Sequence, residues 1–370
     1  MGADDIRHTR DLADFLRLGA RTANLVALAV AIALLAGCGS GANLCSKVST
    51  RGGTTALSAP FASAIPLGAA VRWDRVKDSP GYARFYLSHY TWMTPENELK
   101  MAALEPEEGQ FDFSSADAIV KWAVEHGKHV HGHTLIWGTD LPGWAASLGK
   151  RRGAKARADA IRALGTYVVT VVKHFRANVH EWDAVNEAIE PTGRYVKNAW
   201  DKAIGPGYIK DAFVAAKLAD PSVRLCYNDS GLELPGAHAD RALALVKQLR
   251  AAHLIDCVGF ELHLGVPGPP EAALQEQIKK FAATGVEVLI AELDVSGAAI
   301  GTPPALAAQA AVYGNVARAC RAVSGCARIT TWGFTDASSW LGTATRALPF
   351  DSDCVATPAW RALRNALNAR

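Results

Sequence analysis

Val179-His-Glu-Trp-Asp-Ala-Val-Asn-Glu-Ala188 reads as a half-buried strand that breaks off at an Asn-Glu pair. Alternate side chains of a strand share a face, so Trp182, Ala184 and Asn186 are expected on one side and Asp183, Val185 and Glu187 on the other. Taken alone, Glu187 could be a solvated loop acid. A second stretch, Val286-Glu-Val-Leu-Ile-Ala-Glu-Leu-Asp-Val295, changes that reading, because it too is a strand-like apolar run and it carries Glu292 and Asp294 at its far end. From Glu187 to Glu292 is 105 residues, three units of about 35, each the size of a strand, a helix and two loops. The two stretches are therefore expected three strands apart around one barrel.

The flanking sequence supplies the other strands. Candidates are Ile65-Pro-Leu-Gly-Ala-Ala-Val71, Tyr90-Thr-Trp-Met-Thr94, His129 to Trp137, Val223 to Asp229, Cys257 to His263 and Arg328 to Trp332, which makes eight with the first two. Between them Ser115 to His126, Ala156 to Phe175, Ala237 to Ala252 and Ala305 to Arg321 repeat apolar residues at the helical period. Strand and helix alternating eight times predict an α/β chain, a (β/α)8 TIM barrel formed as a single domain over residues 65–370. A last helix is expected after Thr357 as N-cap and Pro358 at the first helical position, with Trp360, Leu363 and Leu367 along one stripe.

Residues 1–38 stand apart. Arg17 and Arg21 precede an apolar run from Leu25 to Leu35, an export signal too short for an ordinary membrane span. It ends Leu35-Ala36-Gly37-Cys38, which resembles the bacterial lipoprotein processing box. That makes Cys38 the expected lipidation site and the mature protein an exported lipoprotein held at a membrane or cell surface. A plain secretory peptide with Cys38 incidental is the alternative. Residues 39–64, rich in Gly, Ser, Thr and Ala, are expected to form a flexible tether reaching roughly 25–30 Å. Of the six cysteines after Cys38, Cys320 and Cys326 bracket a turn and form the best disulfide pair in an oxidising compartment. Cys226 and Cys257 fall inside strands, where small buried apolar residues are one reading, and the pairing of Cys45, Cys226, Cys257 and Cys354 is left open.

The formal charge of +3 is small for 370 residues, and apart from Lys150-Arg-Arg152 the cations are dispersed, so no nucleic-acid partner is expected. Several of the ten tryptophans fall in loops after strands, where they could stack on sugar faces or simply pack. Barrel enzymes place their sites at the C-terminal ends of the strands. Two carboxyls there are the minimum apparatus for cleaving a glycosidic bond.

Seven motifs in order carry a resemblance. They are Thr94-Pro-Glu-Asn-Glu-Leu-Lys100, Gly132-His-Thr-Leu-Ile-Trp137, Trp182-Asp-Ala-Val-Asn-Glu187, Tyr227-Asn-Asp229, Glu292-Leu-Asp294, Trp332-Gly-Phe-Thr-Asp-Ala-Ser-Ser-Trp340 and Pro349-Phe-Asp351. Over roughly residues 64–362 the chain resembles glycoside hydrolase family 10, the retaining endo-β-1,4-xylanases. The resemblance implies Glu187 as general acid/base and Glu292 as nucleophile, with His263 bonded to Glu292 and held by Asp294. It implies Asn186 on the 2-hydroxyl of the cleaved sugar, with Glu96, Asn97, Lys100, His133, Trp137 and Asn228 among the sugar-binding groups and Trp332 and Trp340 as apolar walls. It also implies a polysaccharide substrate, no metal or cofactor, and the Cys320–Cys326 bond. A monomer is expected.

Two departures bear on specificity. Where the family usually has Gln-x-His, this chain has Glu261-Leu-His263, a third carboxyl whose neighbours should raise its pKa and have theirs raised. Where the family commonly has Trp-His-Ser-Gln, it has Trp137-Gly-Thr-Asp140. Losing polar contacts worth on the order of 1 kcal/mol each makes a different β-linked glycan the alternative to xylan. A non-catalytic carbohydrate-binding lipoprotein on a decayed barrel is the rival of another class, which the retained pair Glu187 and Glu292 opposes. An aldolase or isomerase barrel would need a strand-end Lys or a metal set that the sequence lacks.

Overall fold

The structure is a computed structural model that describes residues 44–45, 65–297 and 301–369. Eight parallel strands form its centre: β1 (Leu67–Val71), β2 (Trp92–Pro95), β3 (His129–Gly132), β4 (Val179–Asn186), β5 (Arg224–Asp229), β6 (Cys257–Phe260), β7 (Glu287–Val295) and β8 (Cys326–Thr331). Each pairs with the next, and β8 returns to β1 with Leu67 opposite Ile329, so the sheet closes on itself. This is the (β/α)8 barrel expected from the alternation. Closure leaves no sheet edge, and β1 accordingly reads Leu-Gly-Ala-Ala-Val with every residue buried.

Helices cover the outside. The longest, Ala154–Phe175, buries Leu164, Val168, Val171, Val172 and Phe175, one stripe at three- and four-residue spacing. The last, Pro358–Asn368, follows Thr357 and buries Trp360, Leu363 and Leu367 as its pattern required.

Two of the strands expected to be continuous are each interrupted. The third resumes as Ile136–Trp137 and the sixth as His263–Leu264. In the first gap the Thr134 hydroxyl donates to the Asp183 carbonyl and His133 Nδ1 lies 2.9 Å from Asp183 Oδ2, so the chain leaves the ladder to place side chains. In the second, Leu262 has φ +57°, which turns Glu261 and His263 toward the barrel mouth.

Below the mouth the barrel holds charges instead of a purely apolar filling. His131 Nδ1 and Nε2 each lie 2.9 Å from a carboxylate, Glu181 and Asp183 respectively. Arg328 donates to Glu181 over 2.7 Å while its guanidinium carbon lies 3.9 Å from the Trp92 ring centre. Burial opposes charge on His131, but Asp183 and Glu181 outweigh it and hold its pKa up at about 9.

Three disulfides are present among the described residues. Cys320–Cys326 matches expectation. Cys226–Cys257 decides one pairing left open, against the alternative of two separate apolar residues: they are register partners on β5 and β6, with Cα atoms 4.4 Å apart. Strand periodicity placed each in a strand but not side by side. Cys45–Cys354 resolves the pairing left open and ties residue 45 to the barrel. The Ser79 hydroxyl also donates to the Leu44 carbonyl. The signal segment 1–38, Cys38 and the rest of the tether lie outside the described residues. No described helix is long and apolar enough to cross a membrane.

Candidate active site

Glu187 follows β4 directly, with φ +49° and its N–H donating to the Asn228 carbonyl. That left-handed residue overrides the alternation expected of a strand, so Asn186 and Glu187 end on the same side and both reach the barrel mouth. Trp137 donates its indole N–H to Glu187 Oε2 over 2.7 Å. Burial raises the Glu187 pKa above the ordinary carboxyl value; the Trp137 bond pulls against it, and the charges of Asp229 and Glu292 add to it. A carboxyl so placed keeps its proton to higher pH.

Glu292, 5% exposed, lies within β7. Its Oε1 accepts from Asn228 Nδ2 over 2.7 Å, and its Oε2 lies 3.1 Å from His263 Nε2. The other His263 nitrogen is 2.9 Å from Asp294 Oδ2, which also accepts the Trp340 indole N–H over 2.8 Å. Burial disfavours charge on His263, yet the bonds to Asp294 and Glu292 hold its pKa up at about 10. With a carboxylate facing each ring nitrogen, the imidazolium that donates to both acids is the favoured form. Asn228 Nδ2 also donates to Asn186 Oδ1 over 2.8 Å, so one amide ties the two strand ends together. Gly259 on β6 is required beside it, since a Cβ there would fall 1.9 Å from Asn228 Oδ1.

The other expected sugar-site residues form a continuous wall on one side. Buried Glu96 follows β2, Lys100 Nζ donates to Asn97 Oδ1 over 3.1 Å, and the same ammonium lies 5.4 Å from the Trp137 ring centre. His133 and Trp332 are edge-to-face at 5.1 Å, and Trp340 lies 5.1 Å from His263 with 53% of its surface exposed. On the other side of Glu187 a cavity of about 510 Å³ is lined by Gly138, Ile189, Asp229, Leu234 and His238. A side chain at Gly138 would strike Asn198 at 2.7 Å, so Asn198 occupies the room that a larger residue would need.

Glu261 joins this centre as the sequence implied. Its Oε1 lies 3.2 Å from Asn228 Nδ2, and burial, then Glu292 and Glu187, push its pKa well above the usual range. Three groups were given no role from the sequence, although two of them lie inside the quoted motifs. Asp183 sits between His131 and His133, and those imidazoles lower its pKa to about 2 against the effect of burial. Asp229 and His238 pair at 3.0 Å beside Glu187. An acid inside an apolar strand was the available signal for Asp183, because a buried carboxylate needs a partner. His238 gave none, being one polar residue at the start of a long helix.

Comparison with known proteins agrees with this geometry. The sequence profile described as "Glycosyl hydrolase family 10" matches residues 56–366. Endo-1,4-beta-xylanase A of Phanerodontia chrysosporium is 36% identical over 273 residues, covering 72% of this chain and 65% of its own, so the match spans slightly less than two thirds of that enzyme. Endo-1,4-beta-xylanase B of Thermotoga neapolitana is 32% identical over 301 residues, covering 79% of this chain and 85% of its own. Xylanase 10B of Thermotoga petrophila, solved in complex with xylobiose, superposes with a TM-score of 0.76 at 31% identity, covering 82% of this chain and 94% of the other. With Glu187 just past β4, Glu292 in the C-terminal half of β7 and a match over most of its length, the chain belongs to glycosyl hydrolase family 10.

Proposed function

We propose that this protein is a retaining endo-β-1,4-xylanase that cleaves xylan by double displacement. The observation that carries the reading is the contrast between two acids at one barrel mouth: Glu187 against an indole with its pKa raised, Glu292 between a cationic imidazole and an amide. Such a contrast assigns proton donor and nucleophile. A Glu292 oxygen attacks the anomeric carbon as Glu187 gives its proton to the departing glycosidic oxygen. A carboxyl separation of about 5–5.5 Å suits this step. Glu187, now a carboxylate, then takes a proton from water, whose oxygen displaces Glu292 from the sugar. Asn186 meets the 2-hydroxyl as positive charge develops in the ring, and the wall from Glu96 to Trp137 holds the sugars on the side that stays bound.

Gly138 and Asp140 favour a second reading, in which the glycan is another β-linked polymer. Incubation with xylan, cellulose and mixed-linkage β-glucan decides between them. Oligomers released from xylan alone support the first reading. Release from a glucan with xylan untouched supports the second, and binding without release from any would leave a carbohydrate-binding protein.

Export and lipidation at Cys38 belong to the same proposal. With Cys45 bonded to Cys354, only six residues would lie between a lipidated Cys38 and the barrel-tied Cys45, at most about 25 Å of extended chain. The catalytic domain would then work close to the membrane surface. Radiolabelled palmitate incorporation that disappears in Cys38→Ala supports this, and soluble, unlabelled protein in both contradicts it.

A further inference from the structure

We propose that Glu261, His263 and Glu292 form a binding site for one divalent ion of the zinc class, and that this ion arrests the enzyme. One ligating atom from each residue lies within 4.8 Å of the others. Zinc bonds of 2.0–2.2 Å in a tetrahedron put neighbouring ligand atoms about 3.4 Å apart. His263 Nε2 and Glu292 Oε2 are already at 3.1 Å. Glu261 has to move in by about 1.4 Å at most, within reach of carboxylate rotation.

The surroundings orient these groups as metal ligands are usually oriented. Asp294 holds His263 Nδ1 over 2.9 Å and is itself held by Trp340, which aims Nε2 at the two glutamates; the ion takes the place of the proton that Nε2 otherwise donates to Glu292, so binding releases that proton to solvent. Asn228 Nδ2 supports both carboxylates, at 2.7 and 3.2 Å. Glu261 and Glu292 are buried, while the His263 side chain keeps 24% of its surface open and gives an ion a way in. One imidazole with two carboxylates suits zinc, cobalt, nickel or copper; calcium and magnesium prefer sets of six or more oxygens. Among the described residues one other cluster has metal-ligand spacing, His131, Glu181 and Cys226, and it is ruled out because Cys226 is in a disulfide.

The ion would occupy Glu292 where the anomeric carbon must approach, so metal and substrate exclude each other. This inhibitory consequence rests on the proposed role of Glu292; the binding itself does not. The test is titration of chelator-treated protein with Co²⁺ by visible absorption and with Zn²⁺ by calorimetry. One ion per chain is expected, with broadening of the His263 imidazole resonances by Co²⁺ and binding weakened about tenfold or more in Glu261→Gln. Absence of saturable 1:1 binding, unbroadened His263 resonances, or unweakened binding by a folded Glu261→Gln protein overturns the site. Zn²⁺ should also inhibit hydrolysis of an aryl β-xylobioside, reversibly with EDTA. Tight 1:1 binding without inhibition would overturn the arrest while leaving the site. A protein that hydrolyses no glycoside would still answer the binding question.

Discussion

Trp137 and Glu187 share a 2.7 Å hydrogen bond in which the indole donates to the carboxylate. It favours the ionised acid while burial favours the protonated one, and burial is the larger effect. Trp137→Phe keeps an apolar wall and removes the donor, so the Glu187 pKa should rise further. Because a general acid works only while protonated, the alkaline limb of the kcat/KM profile should move to higher pH. An alkaline limb that stays in place or moves down would contradict this balance.

Asp294→Asn tests how His263 is held. Burial opposes the imidazolium and the Asp294 bond is the largest effect favouring it, so the His263 pKa should fall from about 10 toward the ordinary histidine range. Hydrogen bonds to charged groups contribute about 1.5–3 kcal/mol, so kcat should drop about 10- to 100-fold. NMR titration of the imidazole gives the first quantity and steady-state kinetics the second. An unmoved titration would show that Asp294 does not set the charge of His263.

Asp336 offers a stability test away from the chemistry. Burial pushes its pKa up to about 7, with the Leu348 N–H bond acting against it. A carboxyl raised above its unfolded value contributes stability that is complete below about pH 4 and is lost as pH climbs through 7. Asp336→Asn keeps an acceptor for Leu348 without the charge. Its melting temperature should therefore decline less than that of the wild type between pH 4 and 8, and the variant should be more stable by about 1 kcal/mol or more at pH 8. Parallel curves would refute the assignment.

Substrates with different leaving groups separate the two glutamates. Glu292→Ala should lose nearly all turnover on any substrate. Glu187→Ala should lose about 10²- to 10⁴-fold on xylan, the usual worth of acid catalysis, yet keep glycosylation by a dinitrophenyl β-xylobioside whose leaving group needs no proton. Equal losses on the activated substrate would contradict the division of roles.

The barrel was legible because its signals are local: β7 carries the apolar run Val288-Leu-Ile-Ala291, and Ala154–Phe175 repeats at the helical period. The acids at the strand ends were legible because chain separation fixes which strands carry them. What escaped was lateral. Nothing along the chain said that Cys226 faces Cys257, that Asp183 lies between two imidazoles, or that Glu187 takes a left-handed backbone and so shares a face with Asn186. Strand periodicity gives the face of a residue but not its neighbour on the next strand.

If Glu292 bonds to the sugar, the covalent intermediate can be trapped. An aryl xylobioside with fluorine at C2 of the reacting sugar destabilises the cation-like transition state of both steps, while a good leaving group restores the first, so a glycosyl-enzyme should accumulate. Peptide mass spectrometry should then find one xylobiosyl adduct, on Glu292. An adduct on Glu187, or no adduct together with inverted product stereochemistry, would contradict the account.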